Sequence, residues 1–309
     1  MAIAGHTSLL TPSPLSAQAA LERLEVLNQV QVLFTGWGCP KLDEDFLRHV
    51  PNLKAVFYAA GSLKPIVSNE FWKKDIEIFS AVSANAIPVA DFALAAVIMC
   101  LKSAFSLARG QRAGDAWRSP RDIKGTYKST VGLVGLGTIG RMVRKRLEVL
   151  DVRVVAYDPY FSTTKDFEGA VELVALDKLF ELSDVVSIHA PLNKSTQGMV
   201  GQAQLERMKR GGSIINTSRG GVIVESELIA FLEKRPDIQA VLDVCDPEPP
   251  DPNSPLRTLE NVFLTPHISG STGPECIRMG RLMVEEFIRW KKNGKLLHKM
   301  TRERASEMG

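Results

Sequence analysis

Three polar side chains, Arg219, Glu248 and His267, each follow a short apolar segment, in SIINTSRGG, QAVLDVCDPEPP and VFLTPHISG. Such segments read as strands, and strand ends in an open α/β sheet are where ligands bind. An arginine fork can hold a carboxylate or a carbonyl oxygen. A histidine can take or return a proton near neutral pH. A carboxylate bonded to the imidazole would orient it and favour its protonated form. Beside a hydride acceptor, the three would suit oxidation of a 2-hydroxy acid, with no metal required. Singly, each has a plainer reading: a surface ion pair for Arg219, a solvated loop for Glu248, a cap or packing role for His267. His189, in SIHAPLN, also ends a strand and is read as structural or at a cofactor edge, whereas His6, His49 and His298 have no chemical context.

The second chemical feature is VGLVGLGTIG, an apolar strand followed by Gly135, Gly137 and Gly140 in the GxGxxG spacing and then by the helical pattern MVRKRLEVL. The glycines allow a tight turn, close approach of backbone to a pyrophosphate, and packing of helix on strand. The N–H groups of the helix start favour a phosphate. Asp158 ends the next strand, 18 residues past Gly140. A carboxylate there accepts both adenosine ribose hydroxyls and repels a 2′-phosphate, which favours NAD over NADP.

These residues need a scaffold of parallel strands. From Thr130 to Thr265, apolar strands alternate with helical segments, the pattern of βαβ units. The strands are placed at TVGLVG, VRVVAY, VVSIHA, SIINT, QAVLDV and VFLTP. Earlier, Ala17–Asn28 reads as a helix, Val32–Thr35 as a strand, Asp43–His49 as a helix, and Lys54–Tyr58 and Ile76–Ser80 as strands. Pro88 is expected to open a long helix, with Asp91 in its first turn. A last amphipathic helix is expected from about Pro274 to Lys292.

At 309 residues, two domains or one large one are expected, and 45% hydrophobic with 24% charged residues is ordinary globular usage. A net charge of +3 without a basic tract gives no reason to invoke nucleic acid or an anionic membrane. Cys39, Cys100, Cys245 and Cys276 fit neither a disulfide framework nor zinc-ligand spacing, which suits a reducing cytoplasm. The start lacks a secretory pattern, and the longest apolar run, Phe92 to Leu101, is about half of what a membrane span needs.

In order along the chain, NAIPVAD, GLVGLGTIGR, YDP, VVSIHAPLNKSTQGMV, MKRGGSIINTSRGGVI, LDVCDPEPP and LTPHISG resemble the D-isomer-specific 2-hydroxyacid dehydrogenases. The likeness runs from about Asn85 to Trp290. It implies an α/β fold of two Rossmann-like domains: a doubly wound NAD-binding domain over 88–275, and a smaller flavodoxin-like substrate domain from 1–87 and 276–309. It implies Arg219, Glu248 and His267 as the catalytic set. Thr138 and Ile139 would meet the pyrophosphate beside Gly135, Gly137 and Gly140, and Asp158 the ribose. Ala190, Thr217 and Asp243 would contact the ribose or nicotinamide, with Asp243 facing the carboxamide, and Gly270 would also belong to the cofactor-binding set. The substrate loop would be AAGSLKPIV, with Gly61 and Ser62 retained and Leu63 where the family commonly has Asp. A homodimer through the NAD-binding domain is also implied.

The resemblance further implies a strand and helix ahead of the segment at Ala17, where this chain has about 16 Ser/Pro-rich residues. Three readings follow: a truncated product, a looser substrate domain, or a first strand supplied by MAIAGHTSLL in another register. The leading functional expectation is a cytoplasmic, NAD-dependent dehydrogenase reducing a small 2-keto acid. Its alternatives are a dehydrogenase-like NAD(H)-sensing binding protein and an enzyme inactivated by an incomplete substrate domain.

Overall fold

The computed structural model describes residues 3–11, 13–115, 123–160 and 171–307. They divide into two compact units, one built from the chain up to Ala86 and from Ser271 onward, the other from Ile87 to Gly270.

The first unit opens with a turn closed by the His6 N–H on the Ile3 carbonyl at 2.9 Å. Residues 3–10 form no strand, so the reading in which MAIAGHTSLL replaces one is not met. The helical segment expected over Ala17–Asn28 is two short helices, α1 (Ala17–Leu21) and α2 (Leu24–Leu27), because the backbone leaves helical angles at Arg23. Then come β1 (Val32–Thr35), α3 (Glu44–His49), β2 (Ala55–Tyr58) and β3 (Glu77–Ser80). The Asp43 carboxylate caps α3 by accepting the Phe46 N–H at 3.2 Å.

The helix expected to start at Pro88 is α4 (Val82–Leu101), with Pro88 inside it. The start moves upstream because the Ser80 hydroxyl accepts the Val82 N–H and the Ala81 carbonyl accepts the Asn85 N–H. At 20 residues, α4 is long and apolar enough to cross a membrane, a length that the uninterrupted run Phe92–Leu101 understated. More than half of it is nonetheless buried, and its Ala90, Ala93, Ala96 and Val97 pack with Val131 and Leu133. A left-handed residue, Ser103, separates it from α5 (Ala104–Arg112). Residues 116–122 lie outside the described residues.

The second unit continues through β4 (Thr130–Val134), α6 (Thr138–Leu147), β5 (Arg153–Tyr157), β6 (Glu172–Leu173), α7 (Leu176–Leu182), β7 (Val185–Ile188), α8 (Gln202–Leu205), β8 (Ser213–Asn216), α9 (Glu225–Lys234), β9 (Gln239–Leu242) and β10 (Val262–Leu264). Its seven strands are all parallel, in the order β10-β9-β8-β7-β4-β5-β6. The order reverses between β4 and β7, the switch point at which a doubly wound sheet opens a crevice.

The chain then returns to the first unit as α10 (Pro274–Lys291), β11 (Lys299–Met300) and α11 (Arg302–Glu307). The boundary expected after residue 275 falls after Gly270, because α10 packs as a whole on β2 and β3. The first unit's sheet runs β1-β2-β3-β11, with β11 antiparallel. Phe34, Phe57 and Phe79 are register partners on β1, β2 and β3, with rings stacked at 5.1 and 4.6 Å. Phe287 and Trp290 of α10 meet this ladder edge-on. Such aromatic contacts add to the burial that holds helix on sheet. Among the described residues no strand pairs with the outer edge of β1, which is half-buried along its length.

Candidate functional site

The glycine turn sits at the end of β4, at the switch point. Gly135 has φ +95°, and a Cβ there would come within 2.8 Å of the Ala190 backbone nitrogen, so the turn requires glycine. At Gly140 a Cβ would lie 2.0 Å from the Gly135 carbonyl oxygen, which is the close packing of α6 on its strand. Above Gly137 a Cβ would meet nothing within 4 Å. Gly137 caps α6 without a side-chain hydrogen bond, leaving the first-turn N–H groups of Thr138, Ile139 and Gly140 beside this open space. Asp158 follows β5, and its carboxylate accepts the Leu136 N–H at 2.7 Å and the Tyr160 N–H at 3.0 Å. It is therefore held against the glycine turn.

Ala190 and Thr217 follow β7 and β8 and are buried. The Thr217 hydroxyl and His189 Nδ1 have no hydrogen-bond partner among the described residues. His189 is buried, with its Nε2 3.0 Å from the Ser187 hydroxyl. Burial pushes its pKa down to about 4, so it is neutral at pH 7 and unsuited to proton transfer there.

Arg219, Glu248 and His267 leave the same end of the sheet, after β8, β9 and β10. Glu248 Oε1 lies 2.6 Å from His267 Nδ1, with the two side chains 40% and 43% exposed. That exposure leaves the pair reachable by a ligand. Arg219 is half-buried; burial pulls its guanidinium below the ordinary arginine value, and the Glu248 charge opposes that shift. The loop carrying Arg219 is braced by Asn216, whose Nδ2 donates to the Arg219 carbonyl and whose Oδ1 accepts the Ser218 N–H, each at 3.0 Å. Glu248 is thus hydrogen-bonded to His267 and acts on Arg219 through its charge.

Asp243 has a role that strand-end reasoning missed. Its carboxylate accepts the Thr265 hydroxyl at 2.7 Å and the Ile268 and Ser269 N–H groups at 2.8 Å each. The Asp243 carbonyl accepts the His267 N–H at 3.0 Å. His267 itself has φ +54°, an uncommon angle for a residue with a side chain, so Asp243 fixes the turn that presents the imidazole. Gly270 directly follows this clamped segment.

In the other unit, the Gly61 and Ala60 carbonyls both accept the Ser80 hydroxyl, at 2.9 and 3.2 Å. Ser62 Oγ accepts the Lys64 N–H at 3.4 Å, and Leu63 is completely buried. Leu63 therefore belongs to the core. Asn85, not singled out from the sequence, supports this loop: a Cβ on Gly61 would lie 3.2 Å from its Nδ2, and its Oδ1 accepts the Ser271 N–H at 2.9 Å. An amide in the first turn of a long apolar helix is the signal that could have marked it.

Residues 94–269, more than half of the chain, match the description of the D-isomer specific 2-hydroxyacid dehydrogenase, NAD binding domain. This chain belongs to that family. It is 33% identical to a glyoxylate reductase of Korarchaeum cryptofilum over 285 residues, covering 91% of this chain and 84% of that protein. It is 32% identical to a D-3-phosphoglycerate dehydrogenase of Archaeoglobus fulgidus over 80% of this chain, and it spans only about half, 47%, of that longer protein. A Thermus thermophilus protein of known structure superposes with a TM-score of 0.76 at 26% identity, over 96% of this chain and 92% of that one. The seven-stranded unit is thus the family's NAD-binding domain, and its residues fit the cofactor. The open space at Gly137 beside uncapped N–H groups suits a pyrophosphate, the Asp158 carboxylate a ribose, and the unpartnered Thr217 hydroxyl a further polar contact.

Proposed function

We propose that this chain is an NAD-dependent oxidoreductase that interconverts a small 2-keto acid and its 2-hydroxy acid. The observation that carries the reading is the 2.6 Å contact of Glu248 with His267 at the end of the sheet that also carries Arg219, in a domain whose glycine turn suits NAD. When bound, NADH supplies the hydride to the carbonyl carbon. Glu248 engages Nδ1, which leaves Nε2 of His267 to give the proton to the carbonyl oxygen during reduction and to take it back during oxidation. The Glu248 carboxylate fixes the ring orientation. Arg219 holds the substrate carboxylate or polarises the carbonyl through its planar fork. Asp158, held at the glycine turn, disfavours a 2′-phosphate by charge. Pairing of two copies through this domain, as the resemblance implies, is part of the proposal and is checked by light scattering on the eluting protein.

The direct test follows NADH absorbance with glyoxylate, hydroxypyruvate, pyruvate and bulkier 2-keto acids. Oxidation of NADH with at least one of the small acids is expected. NADH binding without turnover of any of them would overturn the reading and leave a cofactor-binding protein.

A further inference from the structure

We propose that Glu225 is a positioning residue for the Glu248–His267 pair, acting through the loop that carries Glu248; this rests on the function proposed above. Glu225 is the first residue of α9 and is half-buried. Its Oε2 accepts the Asp246 N–H at 2.7 Å, two residues before Glu248.

The composition of the loop makes that bond count. In Asp246-Pro247-Glu248-Pro249-Pro250, three of the five residues are prolines without an N–H, so only Asp246 and Glu248 can anchor the segment as backbone donors. Glu225 takes one of the two. The same peptide supports the arginine loop, because a Cβ on Gly220 would lie 2.1 Å from the Cys245 carbonyl carbon and 2.6 Å from the Asp246 nitrogen. The backbone after Arg219 therefore rests directly on the backbone before Glu248. One carboxylate fixes the peptide from which Glu248 extends and on which the Arg219 loop lies.

Charge alone would not put a carboxylate there. Burial pushes the Cys245 thiol up to about 11, and Glu225, Glu248 and Asp246 add to that against the opposing Arg257. Glu225 thus sits among like charges. Its own pKa is raised by burial and by Asp246, with the Asp246 N–H opposing. Its use to the protein is as a hydrogen-bond acceptor.

The test compares Glu225→Ala, Glu225→Asp and Glu225→Gln in the full chain, with kcat and KM for the most active keto acid and the Kd for NADH from fluorescence titration. Glu225→Ala is expected to lower kcat about tenfold, the size of one lost hydrogen bond to a half-buried group, while the Kd for NADH stays within about twofold. The shorter Glu225→Asp, which falls short of the Asp246 N–H, is expected to match it and serves in its place if the alanine variant does not fold. Glu225→Gln retains an acceptor oxygen and is expected to recover most of the loss. Wild-type kcat in Glu225→Ala or Glu225→Asp would overturn the inference. So would equal impairment in Glu225→Gln, or loss of NADH binding together with kcat. His267→Ala separates the two levels: if it keeps turnover, the proposed function fails, and if it is inactive while Glu225→Ala is normal, only the role of Glu225 fails.

Discussion

The two sheets of this protein solve different problems. The seven-stranded sheet is all parallel, reverses its order between β4 and β7, and collects Gly137, Asp158, Thr217, Arg219, Glu248 and His267 at the ends of its strands. The four-stranded sheet has an open edge at β1 and is held by a register-matched ladder of Phe34, Phe57 and Phe79 against α10. In the first sheet, chemistry constrains residue types at strand ends. In the second, packing constrains residue volumes on both faces, Phe57 and Phe79 against α10 and Val56, Tyr58 and Ile78 against Leu42, Phe46 and Leu63. The candidate acid–base residues therefore belong to one sheet, while the other carries an aromatic layer on one face and a second apolar cluster with Val56, Tyr58 and Ile78.

The comparison can be broken most forcefully at Phe57, which is completely buried. Phe57→Ala should destabilise the four-stranded unit by about 3–5 kcal/mol. Calorimetry should show one transition moving to lower temperature, with NADH still bound below it. Loss of NADH binding in step with that transition would mean that the units are not energetically separate.

A smaller effect is expected at Asp184, at the opposite end of β7 from the candidate site. Burial would raise its carboxyl, but hydrogen bonds from Lys124, the Thr130 N–H and Lys209 outweigh this and hold it below the usual carboxylate range. Because the folded pKa is depressed, the stabilisation is complete above the unfolded carboxylate value and is lost as pH falls through the folded one. Asp184→Asn should cost about 1–3 kcal/mol at neutral pH and flatten the acid side of the stability curve. Denaturant melts at several pH values check both, and an unchanged acid limb would count against this buried staple. The smallest effect is at Asp158. Asp158→Ser should reduce the preference for NADH over NADPH by at least about tenfold, measured as the ratio of dissociation constants. An unchanged ratio would remove Asp158 from cofactor discrimination.

Much of the seven-stranded sheet was legible because each strand is a short apolar run closed by a polar or glycine residue. The exceptions have physical reasons. At two residues each, β6 and β11 are too short to show a period. The start of α4 depends on the Ser80 hydroxyl, and Pro88 is accommodated within the helix. At the candidate site, residue types pointed to Arg219, Glu248 and His267, but the elements that hold them were hidden. The Asp243 carboxylate behind the left-handed His267 and the Glu225 contact with Asp246 span 25 and 21 residues of sequence. Asn85 escaped notice because its partners, Gly61 and Ser271, come from the two ends of the chain.

The central claim, that the Glu248–His267 pair moves the proton for a cofactor held independently by the glycine turn, is tested most directly by single-turnover reduction of a keto acid in His267→Ala. The account predicts that the rate of NADH oxidation falls by about 10²-fold or more, while the Kd for NADH stays at the wild-type value. A wild-type rate, or loss of NADH binding along with the rate, would contradict it.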